Sequence, residues 1–297
     1  MQVMFDAAPI APDIPLQQSP EFERALAATR TPHLRTADGT LILQRSFGRV
    51  MVHMMTRPRA DLPDDIRQTA RAIGTKSPVI IAPDQPMLLQ RIGALPLVSP
   101  ATQASLDLSP DLQDLRKNLH QKWRNRLKHG EKQRLRVTRQ NMPDDPNHWF
   151  FQAEARQQLK RRYRNWPLAL TLAYGRENRS HAKLFTAFWG KEPLAAILIL
   201  RHGNSAHYHM GHSKPAGRIA SAHTLLLWTA ISWAKSKGLA QLDLGLIDTE
   251  DGQGLARFKL GTGAQINRLG GTWLWWSPIT RLLRPLARLD RALMENG

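Results

Sequence analysis

Apolar and polar positions change period several times along this chain, and the changes mark its elements. Leu194 to Leu200 is a continuous apolar run, and His202-Gly203-Asn204-Ser205 is a turn. Ala206 to His212 alternates, which places Tyr208, Met210 and His212 on one face and His207 and His209 on the other. Together these predict a β-hairpin. A polar loop containing Gly217 follows. A helix is expected from about Ser221 to Lys237, because Leu227, Trp228, Ile231 and Ala234 recur at helical spacing and Gly238 supplies a stop. Gln241 to Leu246 reads as a short buried strand, and Gly254 to Gly261 as a loop or short helix carrying Phe258 and Lys259.

The rest of the chain follows the same logic. Residues 1–18 are a Pro- and Ala-rich lead-in, and Ser19-Pro20-Glu21 starts a helix that runs to about Ala28. Thr40 to Arg45 and Arg49 to Met55 predict a hairpin turning near Gly48. A helix is expected from Leu62 to Ile73, a strand from Pro78 to Ala82, helical turns from Pro86 to Ile92 and a strand from Thr102 to Leu108. Leu112, Leu115, Leu119, Trp123 and Leu127 then recur at spacings of three and four, which predicts one long amphipathic helix ending near Gly130, before a strand at Leu135 to Thr138. Helices are expected at Asp145 to Tyr163 and Leu168 to Tyr174. Strands are expected at Ala182 to Trp189, Gln265 to Arg268 and Thr272 to Trp276. The order predicts an α/β (α+β) protein of two related units, with mixed, mostly antiparallel sheets flanked by helices. The expected divisions are 1–110, a basic connection at 111–140, 141–277 and a terminal helix at 278–297.

Composition narrows the chemistry. The 297 residues include no cysteine, which excludes disulfides, thiolate metal ligands and a Cys nucleophile, and fits a reducing compartment. No apolar run approaches the roughly 20 residues of a membrane span, and the N-terminus lacks the pattern of a signal peptide. The expectation is a cytoplasmic protein, soluble or peripheral at the inner face of the membrane. The formal charge of +18 favours anionic partners such as tRNA, nucleotide phosphates or acidic lipid headgroups, whereas DNA is not expected.

Arg116 to Arg139 holds ten Lys or Arg residues and one acid, Glu131. It reads either as a solvated face of a packed helix or as a groove wall that meets phosphates. Trp123 and Arg124 on this helix, and Arg162 at the basic end of the next, are the candidate substrate contacts. In the tail, Trp273, Trp275 and Trp276 precede an apolar and Arg-rich helix, which suits either an interfacial membrane helix or a docked terminal helix.

Three stretches carry a family resemblance: LRKNLHQKWRNRLKHGEKQRLRV (115–137), YHMGHSKPAGRIASAHTLLLWTAISWAKSKGLAQLDLG (208–245) and GLARFKLGTGA (254–264). They resemble the GNAT acyltransferase superfamily, in particular its Fem-type branch of peptidoglycan-bridge aminoacyltransferases. The resemblance implies tandem GNAT-like units and attack by an amine on a thioester or an aminoacyl ester. Acyl-CoA or aminoacyl-tRNA is then the donor substrate, and a cell-envelope precursor is one candidate acceptor.

Such a site must orient the amine, take its proton and stabilise an oxyanion. Phe258-Lys259 looks like the Phe-Lys pair that the family holds beside the reacting ester, with Lys259 polarising the carbonyl. Tyr208 matches an aromatic on the family's central strand, which implies a hydrogen-bond donor or an acid. Lys214, Gly217 and Arg218 fall where a CoA-dependent member holds the pyrophosphate. One glycine there is a poor match to the two spaced glycines of a CoA loop.

Other groups leave alternatives open. His202, His207, His209 and His212 cluster, but only His207 and His209 share a face and no carboxylate adjoins them in sequence, so no metal site is expected. Asp243, Asp248, Glu250 and Asp251 gather near a strand end, with Asp248 or Glu250 the candidate proton acceptor. The leading expectation is an N-acyltransferase. A CoA-dependent N-acetyltransferase and a non-catalytic RNA- or membrane-binding module are the alternatives.

Overall fold

The computed structural model describes residues 14–74, 77–248 and 252–276. Its first unit begins with α1 (Pro20–Ala28), whose N-terminus is capped by Ser19 accepting from the Phe22 amide at 3.1 Å. Then come β1 (His33–Arg35), β2 (Leu41–Phe47), β3 (Val50–Thr56), α2 (Pro63–Ala72), β4 (Val79–Ala82) and β5 (Leu95–Val98). The second unit runs β6 (Thr102–Asp107), α3 (Leu112–Lys117), α4 (Gln121–Lys132), β7 (Arg136–Asn141), α5 (Trp149–Arg161) and α6 (Leu168–Glu177). It continues with β8 (Ala182–Trp189), β9 (Glu192–His202), β10 (Ser205–Ser213), α7 (Pro215–Ile219), α8 (Ala222–Ser236), β11 (Gln241–Ile247) and α9 (Gln253–Leu260). It closes with β12 (Gln265–Arg268) and β13 (Thr272–Trp275).

Two sheets result, in the orders β1-β2-β3-β4-β13-β5 and β12-β6-β11-β10-β9-β8-β7. Each contains one parallel pair, β3 with β4 and β10 with β11, and every other pairing is antiparallel. One strand crosses between the sheets. β6 lies beside β11 in the second sheet, with the rest of its unit, while β13 returns from beyond β12 to sit between β4 and β5 in the first.

Both faces of the second sheet are covered, which explains why β9 is apolar without alternation. On one face Ala195, Ile197 and Ile199 meet Trp123 and Leu127 of α4 and Leu226, Leu227 and Ile231 of α8. On the other, Ala196, Leu198 and Leu200 meet Phe150 and Phe151 of α5 and Leu172 and Ala173 of α6.

Three expectations change. The long helix over 112–130 is two helices, because the His120 N–H leaves the helical pattern to donate to the Gly261 carbonyl at 2.9 Å, and the His120 ring then caps α4 at Lys122 N. The alternation along β10 is broken by a bulge: Tyr208 pairs with Ile199 and Met210 with Leu198, leaving His209 as the extra residue. Met210 therefore packs with Phe150 on the α5 side, opposite Tyr208. Trp273 and Trp275 are not interfacial. They are buried in the first sheet's core, and their ring N–H groups donate to the carbonyls of Gly270 and Ile92. The expected helix at 278–297, and most of the lead-in, lie outside the described residues.

Trp273 fills the core where β13 joins β4 and β5. Trp273→Ala is expected to lower unfolding free energy by about 3–5 kcal/mol, read from urea denaturation. A loss below about 1 kcal/mol would contradict this packing.

Candidate active site

β10 and β11 pair only over Ser205–His207 with Gln241–Asp243, whereas β10 stays paired with β9 as far as Ser213. Bulges at the same level turn the two strands apart: one at Tyr208/Met210, the other at Asp243/Gly245 on the β6 side of β11. Gly245 sits at φ +78°, a left-handed conformation that a side chain would strain. The result is a gap that opens immediately beyond His207 and Asp243.

Asp243 lies partly buried at this point, its side chain 15% exposed. Its carboxylate accepts from the Gly245 amide at 2.6 Å and from His207 Nδ1 at 2.9 Å, and Arg57 Nη1 lies 3.6 Å away. Burial alone would raise this carboxyl, but His207, Arg57 and the amide together hold it below its usual value. With Nδ1 turned to the carboxylate as donor, the nitrogen left to accept a proton is Nε2.

Arg57 comes from the other sheet. It follows β3 at φ +53°, its amide donates to the Ala82 carbonyl at 2.7 Å, and its Nε donates to Asp84 just after β4. The candidate site thus joins the C-terminal ends of the two parallel pairs.

Lys259 enters from α9. The residue is 7% exposed, and its ammonium donates to the Leu246 carbonyl at 2.6 Å. Burial pushes its pKa down to about 8, against the opposing pull of Asp243. A Cβ built on Gly245 would stand 3.6 Å from Lys259 Nζ and 3.9 Å from His207 Cε1, so both groups flank the bare Gly245 backbone. The neighbouring histidines are held neutral. Burial takes His202 down to about 3, and burial keeps His209 well below its usual value while its Nε2 lies 3.1 Å from Thr171 Oγ1.

The other predicted residues divide. Tyr208 faces α8, its hydroxyl 2.8 Å from His223 Nε2. Burial lowers His223 to about 4 and raises Tyr208, so the hydroxyl donates to a neutral ring. Phe258 packs edge-on to His223, 5.1 Å between centroids, and continues this row beside Lys259. Trp123 is buried, and its Nε1–H donates to the Phe258 carbonyl at 3.0 Å, so it supports α9 from the core.

Arg124 is on α4 with Trp123, on the α8 side of the sheet. Arg162 is the exposed left-handed residue that ends α5, on the opposite side, so these three residues share no surface. Arg162 instead lines a groove of about 770 Å³ with Tyr163 and Trp166.

The expected pyrophosphate loop is not a loop. Residues 215–219 form α7, and a Cβ on Gly217 would come within 2.6 Å of the Leu194 carbonyl, so this glycine serves close packing. Lys214 pairs with Glu192 at 2.9 Å and Arg218 donates to the Ser213 carbonyl. Both line a groove of about 590 Å³ with Arg156, Lys160 and Arg161 of α5. Asp248 ends the described part of β11's connection, and Glu250 and Asp251 lie outside the described residues.

Sequence reasoning missed Arg57 and Asp84, and it treated His207 and Asp243 only as members of loose clusters. A signal existed: Asp243 stands between Leu242 and Leu244 in a strand read as buried, where a carboxylate requires partners.

Two measurements check this geometry. Asp243→Asn leaves Arg57 without its counter-charge and His207 Nδ1 without an anionic acceptor, and is expected to cost about 3 kcal/mol, while Asp84→Asn, at a more exposed pair, costs under about 1 kcal/mol. Equal losses would contradict it. Lys259 has a folded pKa near 8 against 10.5 in the unfolded chain, so the unfolded state binds the extra proton between these values. Wild type is therefore expected to gain stability relative to Lys259→Met as pH rises from 8 to 10.5, read from melting temperatures. Parallel curves would contradict a buried lysine.

Comparison with known proteins bears on what this gap belongs to. The sequence matches no curated protein. In fold it is similar to the crystal structure of FemX, with a TM-score of 0.73 at 13% identity, over 92% of this chain and 95% of that one. It is also similar to the C-terminal domain of a putative lysylphosphatidylglycerol synthetase from Agrobacterium fabrum, with a TM-score of 0.58 at 13% identity over 92% of each chain. L-PGS from Bacillus licheniformis gives a TM-score of 0.54 at 14% identity, over 96% of this chain and 99% of that one. The family described as acetyltransferase (GNAT) domain matches residues 113–264, from α3 through the turn after α9. The chain therefore belongs to the GNAT acyltransferase family, on the mixed α/β fold of FemX.

Proposed function

We propose that this protein moves an acyl group from an activated ester to an amine, forming an amide, with the gap between β10 and β11 as the reaction centre. The observation that carries the reading is the pairing of a buried lysine with a carboxylate-held histidine across the Gly245 backbone.

The amine nitrogen attacks the acyl carbon, and His207 Nε2 accepts the proton that the nitrogen must lose. Asp243 stabilises the imidazolium through Nδ1. The Lys259 ammonium turns from the Leu246 carbonyl to the oxyanion of the tetrahedral intermediate, where a dry site strengthens the attraction. Collapse breaks the ester bond, and His207 returns its proton to the departing alcohol oxygen. Phe258 and the Tyr208–His223 pair wall this space on the α8 side.

An aminoacyl ester, as on aminoacyl-tRNA, is the preferred donor. Helix α7 and the close-packed Gly217 leave no glycine loop of the kind that cradles a CoA pyrophosphate. The names of the lysylphosphatidylglycerol synthetases carry an aminoacyl group too, which agrees with this choice. The acceptor amine belongs to a phosphate-bearing or lipid-linked envelope precursor, matched by the cationic groove of Arg156, Lys160, Arg161, Lys214 and Arg218. The protein then works at the inner face of the membrane. Among the described residues no helix is long and apolar enough to cross it. A second reading, a CoA thioester donor, is favoured by the description of the matching family.

Thermal shift with acetyl-CoA, longer acyl-CoAs and aminoacyl-tRNA separates the donors: stabilisation by the charged tRNA is expected, and stabilisation by acyl-CoA alone would select the second reading. With the donor in hand, Lys259→Ala and His207→Asn are each expected to lower kcat by about 10²–10³-fold. Loss of the Lys259 proton should also bring the rate down above pH 8, and Lys259→Arg should move that alkaline limb beyond pH 10. Unchanged rates in both alanine and asparagine variants would remove these residues from the chemistry.

A further inference from the structure

The hairpin of β2 and β3 leaves its sheet. β1 pairs with β2 only over Leu41–Leu43, and β4 pairs with β3 only over His53–Thr56. Between them the pairs Arg45↔Val52, Ser46↔Met51 and Phe47↔Val50 form a two-stranded ribbon, with no third strand on either side among the described residues. Three pairs at about 3.4 Å each carry its tip some 10 Å past the sheet.

The tip is built against the usual rule for such ribbons. An isolated hairpin in water is ordinarily polar or charged at its free edge. Here Phe47 is 67% exposed, Val50 44% and Met51 37%, and the turn Gly48-Arg49 places them at the extreme end. Arg45 and Arg49 are the charged groups beside them, and no Asp or Glu occurs between Asp38 and Asp61. An apolar tip about 10 Å long with only cationic neighbours matches one kind of surface: an acyl layer beneath anionic headgroups, reached by inserting 5–10 Å.

We propose that the β2–β3 ribbon is a membrane-docking element, with Phe47, Val50 and Met51 entering the acyl boundary of an anionic bilayer while Arg45 and Arg49 meet its phosphates. β3 runs from this tip to Arg57, seven residues or about 23 Å away, so docking leaves the gap at Asp243 open to its substrates. The inference does not depend on the reaction assigned to that gap.

The test is co-sedimentation of the full chain with vesicles of phosphatidylcholine alone or mixed with phosphatidylglycerol. Wild type is expected to bind the mixed vesicles and to lose binding as salt rises. The triple variant Phe47→Ser/Val50→Ser/Met51→Ser is expected to bind at least about tenfold more weakly, and Arg45→Gln/Arg49→Gln to lose about tenfold on anionic vesicles. These positions are exposed, so melting temperature should be unchanged.

The chain has no cysteine, so Met51→Cys can carry an environment-sensitive fluorophore without other substitutions. Its emission should shift to the blue on mixed vesicles, whereas the same label at the exposed β8–β9 turn (Lys191→Cys) should not move. Absence of wild-type binding, equal binding by the triple variant, or equal shifts at both labels would overturn the proposal. So would conversion of a dimer to a monomer by the triple variant without lipid, since a second copy would then be the occupant.

Discussion

One mostly enclosed carboxylate ties the candidate site together across the two sheets. Asp243 stands between the buried Leu242 and Leu244 with its side chain mostly withdrawn from water, and an ionised oxygen there is stabilised by the donors around it. The Gly245 amide, His207 and Arg57 supply them. Two of the three come from the same sheet, but Arg57 arrives from the other one, tied down by Asp84 and the Ala82 carbonyl. The charge balance of one residue therefore adds a side-chain link between two units that β13 already joins through its pairing with β4 and β5. The crossing of β13 into the first sheet reinforces the same junction.

From that constraint the reactive character of the gap follows. The same bulge that turns β11 away from β10 forces Gly245 into a left-handed conformation and removes any side chain from the wall. Into this opening α9 delivers Lys259, whose ammonium is short of water but close enough to Asp243 to keep much of its affinity for a proton. A cation with a pKa near 8 and an imidazole held by a carboxylate are the two groups on which the proposed amide formation rests. The second unit places both within the width of one glycine.

Local pattern made a large part of this legible. The strand over 182–189, the helix beginning beside Ser221 and the strand at 241–247 are each written in a run of apolar residues with a glycine or turn at the boundary. Lys259 and Phe258 were visible through a short motif. What stayed hidden depends on partners distant in sequence. The break at 118–120 is caused by the Gly261 carbonyl, and the close packing of Gly217 by the Leu194 carbonyl. The bulge at His209 inverts the face of Met210 although the residues themselves alternate cleanly. Arg57 looks like one arginine among many until Asp243 is seen beside it. Trp273 and Trp275 were legible as a strand, but of the roles a Trp-rich run near an Arg-rich tail left open, the membrane-facing one does not apply to these rings, which complete a core.

The account stands on Lys259 meeting the carbonyl oxygen of the donor. A structure of the protein with a hydrolysis-resistant aminoacyl-adenosine amide tests this most directly. The account predicts the acyl oxygen about 2.7–3.1 Å from Lys259 Nζ, beside the bare Gly245 backbone, with His207 Nε2 facing the side from which an amine would approach. An analogue seated elsewhere, with Lys259 still bonded to the Leu246 carbonyl and Asp243 still enclosed, would contradict it.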